Sequence, residues 1–166
     1  MATTLTPKQV KTLKAIVSSD LAKEFYFSGG TALSHYYLQH RLSEDLDFFR
    51  EIESDVQATY VNLKTLKSMI GYETIDFQTS MNRHLFFLHF PDKSVLKLEF
   101  SYYPFTQIEP PKILDGLLVD SAIDIATNKL FTIVQTPRGR DYYDLYYKNK
   151  KYGYTIPKLR MLAKQK

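Results

Sequence analysis

Two adjacent glycines, Gly29 and Gly30, separate a short aromatic segment, Glu24 to Phe27, from a stretch between Ala32 and about His40 that reads as helical. The chain therefore changes from strand to helix within Ser28-Gly29-Gly30-Thr31. A helix N-terminus presents unpaired backbone N–H groups and a partial positive charge, and glycines let a phosphate approach that backbone closely. Ser28, Gly29, Gly30 and Thr31 are thus candidate nucleotide-phosphate ligands. Taken in isolation, however, two glycines are more often a plain tight turn.

A pair of acids fifteen residues on gives the turn its meaning. In Arg41-Leu42-Ser43-Glu44-Asp45-Leu46-Asp47-Phe48-Phe49, Leu46 to Phe49 reads as a strand. Strand side chains alternate, so Asp45 and Asp47 share one face, roughly 6.5–7 Å apart, while Leu46 and Phe48 point to the core. Like charges so placed raise one another's pKa unless a cation neutralises them, and a hard divalent ion such as Mg²⁺ or Mn²⁺ takes oxygen ligands. The alternative is a pair of exposed acids at a strand end. In Val95-Leu96-Lys97-Leu98-Glu99-Phe100 the same alternation turns Glu99 away from the core. If the two strands are neighbours, Asp45, Asp47 and Glu99 form an acidic set suited to metal-assisted phosphoryl chemistry; alone, Glu99 is an ordinary exposed strand residue.

The stretch FSGGTALSHYYLQHRLSEDLDFF, residues 27–49, resembles the signature of the AbiEii/AbiGii toxin family of nucleotidyltransferases, within the DNA polymerase beta-like superfamily. Lys129 in DIATNKLFTIV and the segment Arg138-Gly139-Arg140-Asp141-Tyr142-Tyr143-Asp144-Leu145 resemble that family's lysine helix and its closing Arg-Asp and Asp-Leu motif. The resemblance implies that Gly29, Gly30 and Thr31 hold phosphates, that Asp45 and Asp47 bind metal with Glu99 as third acid, and that Lys129 and Asp144 are functional, Lys129 on a phosphate oxygen. It further implies a nucleoside triphosphate substrate, an acceptor such as tRNA, and a cognate antitoxin as partner. Two alternatives from other classes stay open: a nucleotide- or RNA-binding module without turnover, and a nucleotidyltransferase that modifies protein. Arg140, Asp144 and Lys148, spaced i, i+4, also fit a ladder of helix-surface ion pairs.

The remaining sequence supplies the frame. At 166 residues, 44% hydrophobic and 24% charged, the chain has the composition of one globular domain spanning 1–166. Thr6-Pro7-Lys8-Gln9 reads as a capped helix start. Val56 to Ile70 reads as a helix, and Arg83 to Phe90 with Val95 to Phe100 as a hairpin around Pro91-Asp92-Lys93-Ser94. Prolines make Tyr102 to Lys112 a loop, and helices are expected over Ser121 to about Gln135, Arg140 to Lys148 and Pro157 to Lys164. The predicted fold is α+β: a small mixed sheet over about 20–103, flanking helices, and a helical part over about 120–166. No apolar run is long enough for a secretory or membrane segment, and with no cysteine a cytoplasmic location is expected. The net charge of +4 is concentrated in the acid-free stretch from Lys148 to Lys166, either a solvated face or an RNA-contacting patch.

Overall fold

The computed structural model describes residues 4–166. Seven strands form one mixed sheet: β1 (Tyr26–Ser28), β2 (Leu46–Arg50), β3 (Thr74–Ser80), β4 (Arg83–His89), β5 (Val95–Tyr102), β6 (Lys112–Leu114) and β7 (Leu117–Val119). Their order is β3-β4-β5-β2-β1-β7-β6. β2 runs parallel to β5 and β1 to β7, the other pairs being antiparallel. Alternation in the central strands divides the two faces. Leu46, Phe48, Leu98 and Phe100 are buried, with Phe48 and Phe100 stacked at 4.9 Å, and Phe25 meeting Phe100 edge-on at 5.0 Å. Each such side chain contributes about 1.5–3 kcal/mol by leaving water. The intervening Asp47, Lys97 and Glu99 are thereby directed to the opposite side.

Around the sheet lie α1 (Pro7–Val17), α2 (Leu21–Glu24), α3 (Gly29–Ala32), α4 (Val56–Thr65), α5 (Lys67–Ile70), α6 (Ala122–Gln135), α7 (Gly139–Tyr152) and α8 (Ile156–Ala163). The capping box of α1 is formed as expected: Gln9 N donates to Thr6 Oγ1 at 3.2 Å, and Thr6 N to Gln9 Oε1 at 2.8 Å. The same Gln9 amide donates to the carbonyls of Ser43 and Glu44, so the cap also fixes the approach to Asp45. The last three helices share a second core of Ile123, Ala126, Leu145 and Leu159. Among the described residues no helix is long and apolar enough to cross a membrane.

Several elements differ from the sequence reading. Glu24 ends a short helix rather than starting a strand, and the helix begins on Gly29 itself, widening into a π-helical stretch over Leu33–Leu38. The helix read from Val56 to Ile70 breaks at Leu66. The sheet is larger than expected because β3 and the β6–β7 hairpin were not read. β3 is a mostly exposed edge strand of mixed polarity, without the half-buried alternation that marks a strand. The hairpin did carry a signal: Asp115 and Gly116, at φ +50° and +84°, form the Asp-Gly turn between Leu114 and Leu117.

Candidate active site

The glycine turn is built against the acids. Ser28 pairs in register with Asp47, which places Gly29 beside the Asp47 side chain. Gly29 has φ +72°, and a Cβ there would run into the Asp47 carboxylate; a Cβ on Gly30 would lie 2.7 Å from Arg41 Nη2 and 3.0 Å from Ser43 Oγ. Ser28 precedes α3 but makes no side-chain cap; its hydroxyl donates instead to Asp120 Oδ2 at 2.8 Å. The first N–H groups of α3 thus lack the side-chain acceptor that usually claims them. Thr31 is buried, and its hydroxyl donates to the Asp45 carbonyl, so it anchors the acid rather than facing the cleft. Gly29→Ala is expected to cost about 1–3 kcal/mol through the left-handed backbone and the displaced Asp47. A lowered melting temperature checks the first effect, and weakened triphosphate binding the second.

β2 and β5 are neighbours, with Asp47 opposite Glu99. Burial, then Glu99, then Asp45 push the Asp47 carboxyl up to about 7. Burial also acts to raise Glu99, but Arg83 outweighs it and holds the group below its ordinary range. Arg83 Nε and Nη2 donate to the two Glu99 oxygens at 2.7 and 2.6 Å, and Ser101 Oγ adds a bond at 2.9 Å. Lys97 Nζ donates to Asp45 Oδ2 at 2.9 Å. Three carboxylates thus face two cations, and the uncompensated charge falls on Asp47. The donor chemistry of Asp45 and Asp47, oxygen only and short of one positive charge, fits a hard divalent ion. Glu99 is otherwise engaged, and among the described residues no three His, Cys, Asp or Glu side chains are grouped so as to hold an ion as they stand. Glu99 is the partner of Arg83 in this arrangement.

Lys129 and Asp144 belong to a buried network that joins the segment after the π-helical stretch to α6 and α7. Asp144 Oδ1 lies 2.7 Å from His40 Nε2 and accepts from Arg41 Nε at 2.6 Å; Oδ2 accepts from Arg41 Nη2 at 2.8 Å and pairs with Lys129 Nζ at 2.9 Å. Lys129 also donates to Asp141 Oδ1 at 2.7 Å, and Arg138 Nε to Asp141 Oδ2 at 3.0 Å. Although burial would raise it, the cationic donors, Arg41 foremost, hold the Asp144 carboxyl far below the usual range. Asp144 is fully buried and away from the cleft, whereas Lys129 and Arg41 reach its wall. The surface ladder does not form, because Asp144 and Lys148 are buried, and two of the seven basic residues from Lys148 to Lys166 are drawn out of the exposed tail. Lys148 is fully buried, donates to the Ala122 carbonyl, and is driven well down in pKa by burial. Lys166 is paired with Asp124 at 2.7 Å and almost inaccessible.

The cleft, of about 600 Å³, is bounded by Gly29, Gly30, Asp45 and Asp47 on one side and by Lys129, Arg138 and Arg140 on another. Arg41, Arg83 and Lys97 also line it, and none of these was assigned a role from sequence. For Lys97 the signal was present, since it alternates onto the same face as Glu99. Arg83 follows a hairpin turn that was invisible without β3.

A family model described as the nucleotidyl transferase AbiEii toxin of a type IV toxin–antitoxin system matches residues 11–166. An uncharacterized protein of Aquifex aeolicus is 29% identical over 165 residues, covering 98% of this chain and 75% of its own. Among solved structures, JHP933 of Helicobacter pylori is 26% identical with a TM-score of 0.65, over 86% of this chain and 65% of its own. A candidate nucleotidyltransferase of H. pylori is 25% identical with a TM-score of 0.67, over 89% of this chain and 71% of its own. The Megavirus polyadenylate synthase, 16% identical with a TM-score of 0.53 over 89% of this chain and 32% of its own, shares the fold. The chain thus spans about two thirds of the length of JHP933.

Proposed function

We propose, from the premise that the chain belongs to the AbiEii nucleotidyltransferase toxin family, that it moves a nucleoside monophosphate from a nucleoside triphosphate onto an acceptor hydroxyl. The acceptor oxygen bonds to the α-phosphorus as the bond to pyrophosphate breaks. The observation that carries this reading is the abutment of Gly29 on Asp47, which sets the start of α3 beside a carboxylate pair short of one positive charge. Gly29 and Gly30 seat the triphosphate on the N–H groups of α3. Asp45 and Asp47 hold Mg²⁺ or Mn²⁺, which when bound neutralises phosphate charge and lowers the pKa of the acceptor hydroxyl. Lys129, on the cleft wall, presents its ammonium to a phosphate oxygen, while Asp144 fixes the positions of Lys129 and Arg41. Residues 1–166 act as one domain in this scheme, in the cytoplasm, on an RNA acceptor such as tRNA, and under restraint by a cognate antitoxin.

The test is incubation with each labelled triphosphate, Mg²⁺ or Mn²⁺, and either total RNA or cell protein. Label in the RNA fraction is the expected result. Label in the protein fraction alone would move the acceptor to protein, and no label in either with any triphosphate would leave a binding module without turnover.

A further inference from the structure

Helix α7 carries Tyr142, Tyr143, Tyr146 and Tyr147, which fall on one side of the helix through their i, i+3 and i+4 spacings. The first three are among the exposed large side chains of the molecule, at 54%, 43% and 62% accessibility. The group is ordered rather than loose. Tyr143 and Tyr147 lie 4.7 Å apart, Tyr146 and Tyr147 5.5 Å, and Tyr143 stacks on the His40 ring at 5.6 Å with 12° between planes. His40 is itself buried and held on Asp144. Tyr143 therefore rests on a fixed second ring, and little of its rotamer freedom remains to be lost on binding.

Charge distinguishes the partner such a face suits. Both acids of α7, Asp141 and Asp144, are buried in ion pairs, whereas Arg140, Lys150 and Lys151 are exposed. The exposed charges of the helix are all positive, and its exposed large side chains are tyrosines without an aliphatic among them. Flat π-faces flanked by cations match a polyanion whose bases are unstacked, because aromatic rings bind bases by stacking while cations track the phosphates. A duplex keeps its base faces covered. The face is also continuous with the cleft: Arg140 lines the cleft, and His40 beneath Tyr143 adjoins Arg41, which packs against Gly30.

We propose that the tyrosine face of α7 is the platform on which bases of a single-stranded RNA acceptor stack, with Arg140 and Lys150 on its phosphates. This rests on the RNA-acceptor reading and adds the side from which the strand enters. Tyr143 and Tyr146 belong to neither hydrophobic core.

The experiment compares the wild type, a Tyr143→Ala/Tyr146→Ala variant and a Tyr143→Phe/Tyr146→Phe variant. Binding of a labelled RNA oligonucleotide of about a dozen residues is measured, single-stranded and as a blunt duplex, without triphosphate. The alanine variant should bind the single strand at least about tenfold more weakly, the phenylalanine variant as the wild type does, and triphosphate affinity should be equal in all three. Wild-type RNA affinity in the alanine variant, equal losses in both variants, or a duplex bound as tightly as the single strand would each overturn the platform. Unchanged RNA affinity together with loss of protein labelling would assign the face to a protein instead. The binding arm requires no transfer. A wild type that binds RNA through these rings yet labels none overturns the acceptor reading and not the platform, whereas RNA labelling undiminished without the rings overturns the platform and not the acceptor.

Discussion

Asp47→Asn is expected to lower nucleotidyl transfer by about three orders of magnitude while leaving the metal-free fold as stable as before or more so. At the proposed metal site the loss would come from removing an oxygen that holds the ion, since the charge stabilisation an ion supplies to phosphoryl transfer is several kcal/mol, at about 1.4 kcal/mol per tenfold. The stability comes from the carboxyl's surroundings, because burial, Glu99 and Asp45 raise its pKa to about 7 in the folded chain. A carboxyl with a folded pKa above its unfolded value of about 4 binds its proton more tightly when folded, so metal-free stability falls as pH rises between about 4 and 7. Asparagine, of similar size, removes that slope. Transfer assays with Mg²⁺ and thermal unfolding in chelator across this pH range test the two halves separately. Substantial transfer by the variant would remove Asp47 from the chemistry.

The largest loss of stability is expected at a residue that does not touch the cleft. Asp144→Ala leaves Arg41, Lys129 and His40 without the carboxylate they surround, and removing one partner of a buried ionic cluster costs about 3–5 kcal/mol. In a chain of this size that lowers the melting temperature by roughly 6–20 °C. The sign with pH is opposite to that of Asp47. The folded pKa of Asp144 is depressed, so its contribution is present above the unfolded value near 4 and lost as pH falls toward the folded one. Wild type and variant should thus converge in melting temperature under strongly acidic conditions and differ most near neutrality. A variant that melts with the wild type at pH 7 would show the network to be dispensable.

How much of the site was legible in the chain depended on whether a residue's role lay in its local pattern. Asp45, Asp47 and Glu99 were located by strand alternation, a property of a few consecutive residues, and β2 and β5 do lie side by side. The glycine turn was equally local. Pairing across distance was not legible: Arg83 on Glu99, Lys97 on Asp45, and Arg41, Lys129 and His40 around Asp144. An i, i+4 spacing says which residues share a helix side, not whether that side meets water. The ladder alternative set Asp144 and Lys148 on the surface, although both are buried. In the acid-free tail the same limit applies to Lys148 and Lys166, which serve the interior, while Lys150, Lys151, Lys158, Arg160 and Lys164 stay exposed.

The strand order has a consequence for when the protein becomes competent during its synthesis. The glycine turn and both aspartates leave the ribosome early, but β2 cannot gain its second neighbour until β5 has emerged, nor β1 until β7 has. Lys97 and Asp45 are separated by 52 residues, and the loop between them must close before the central strands reward it. The β3-β4-β5 meander, joined by short turns, can assemble ahead of that closure. Lys129 and the helix bearing Asp144 emerge later still. A nascent or proteolysed N-terminal piece therefore holds the acids without the walls that give them their electrostatics.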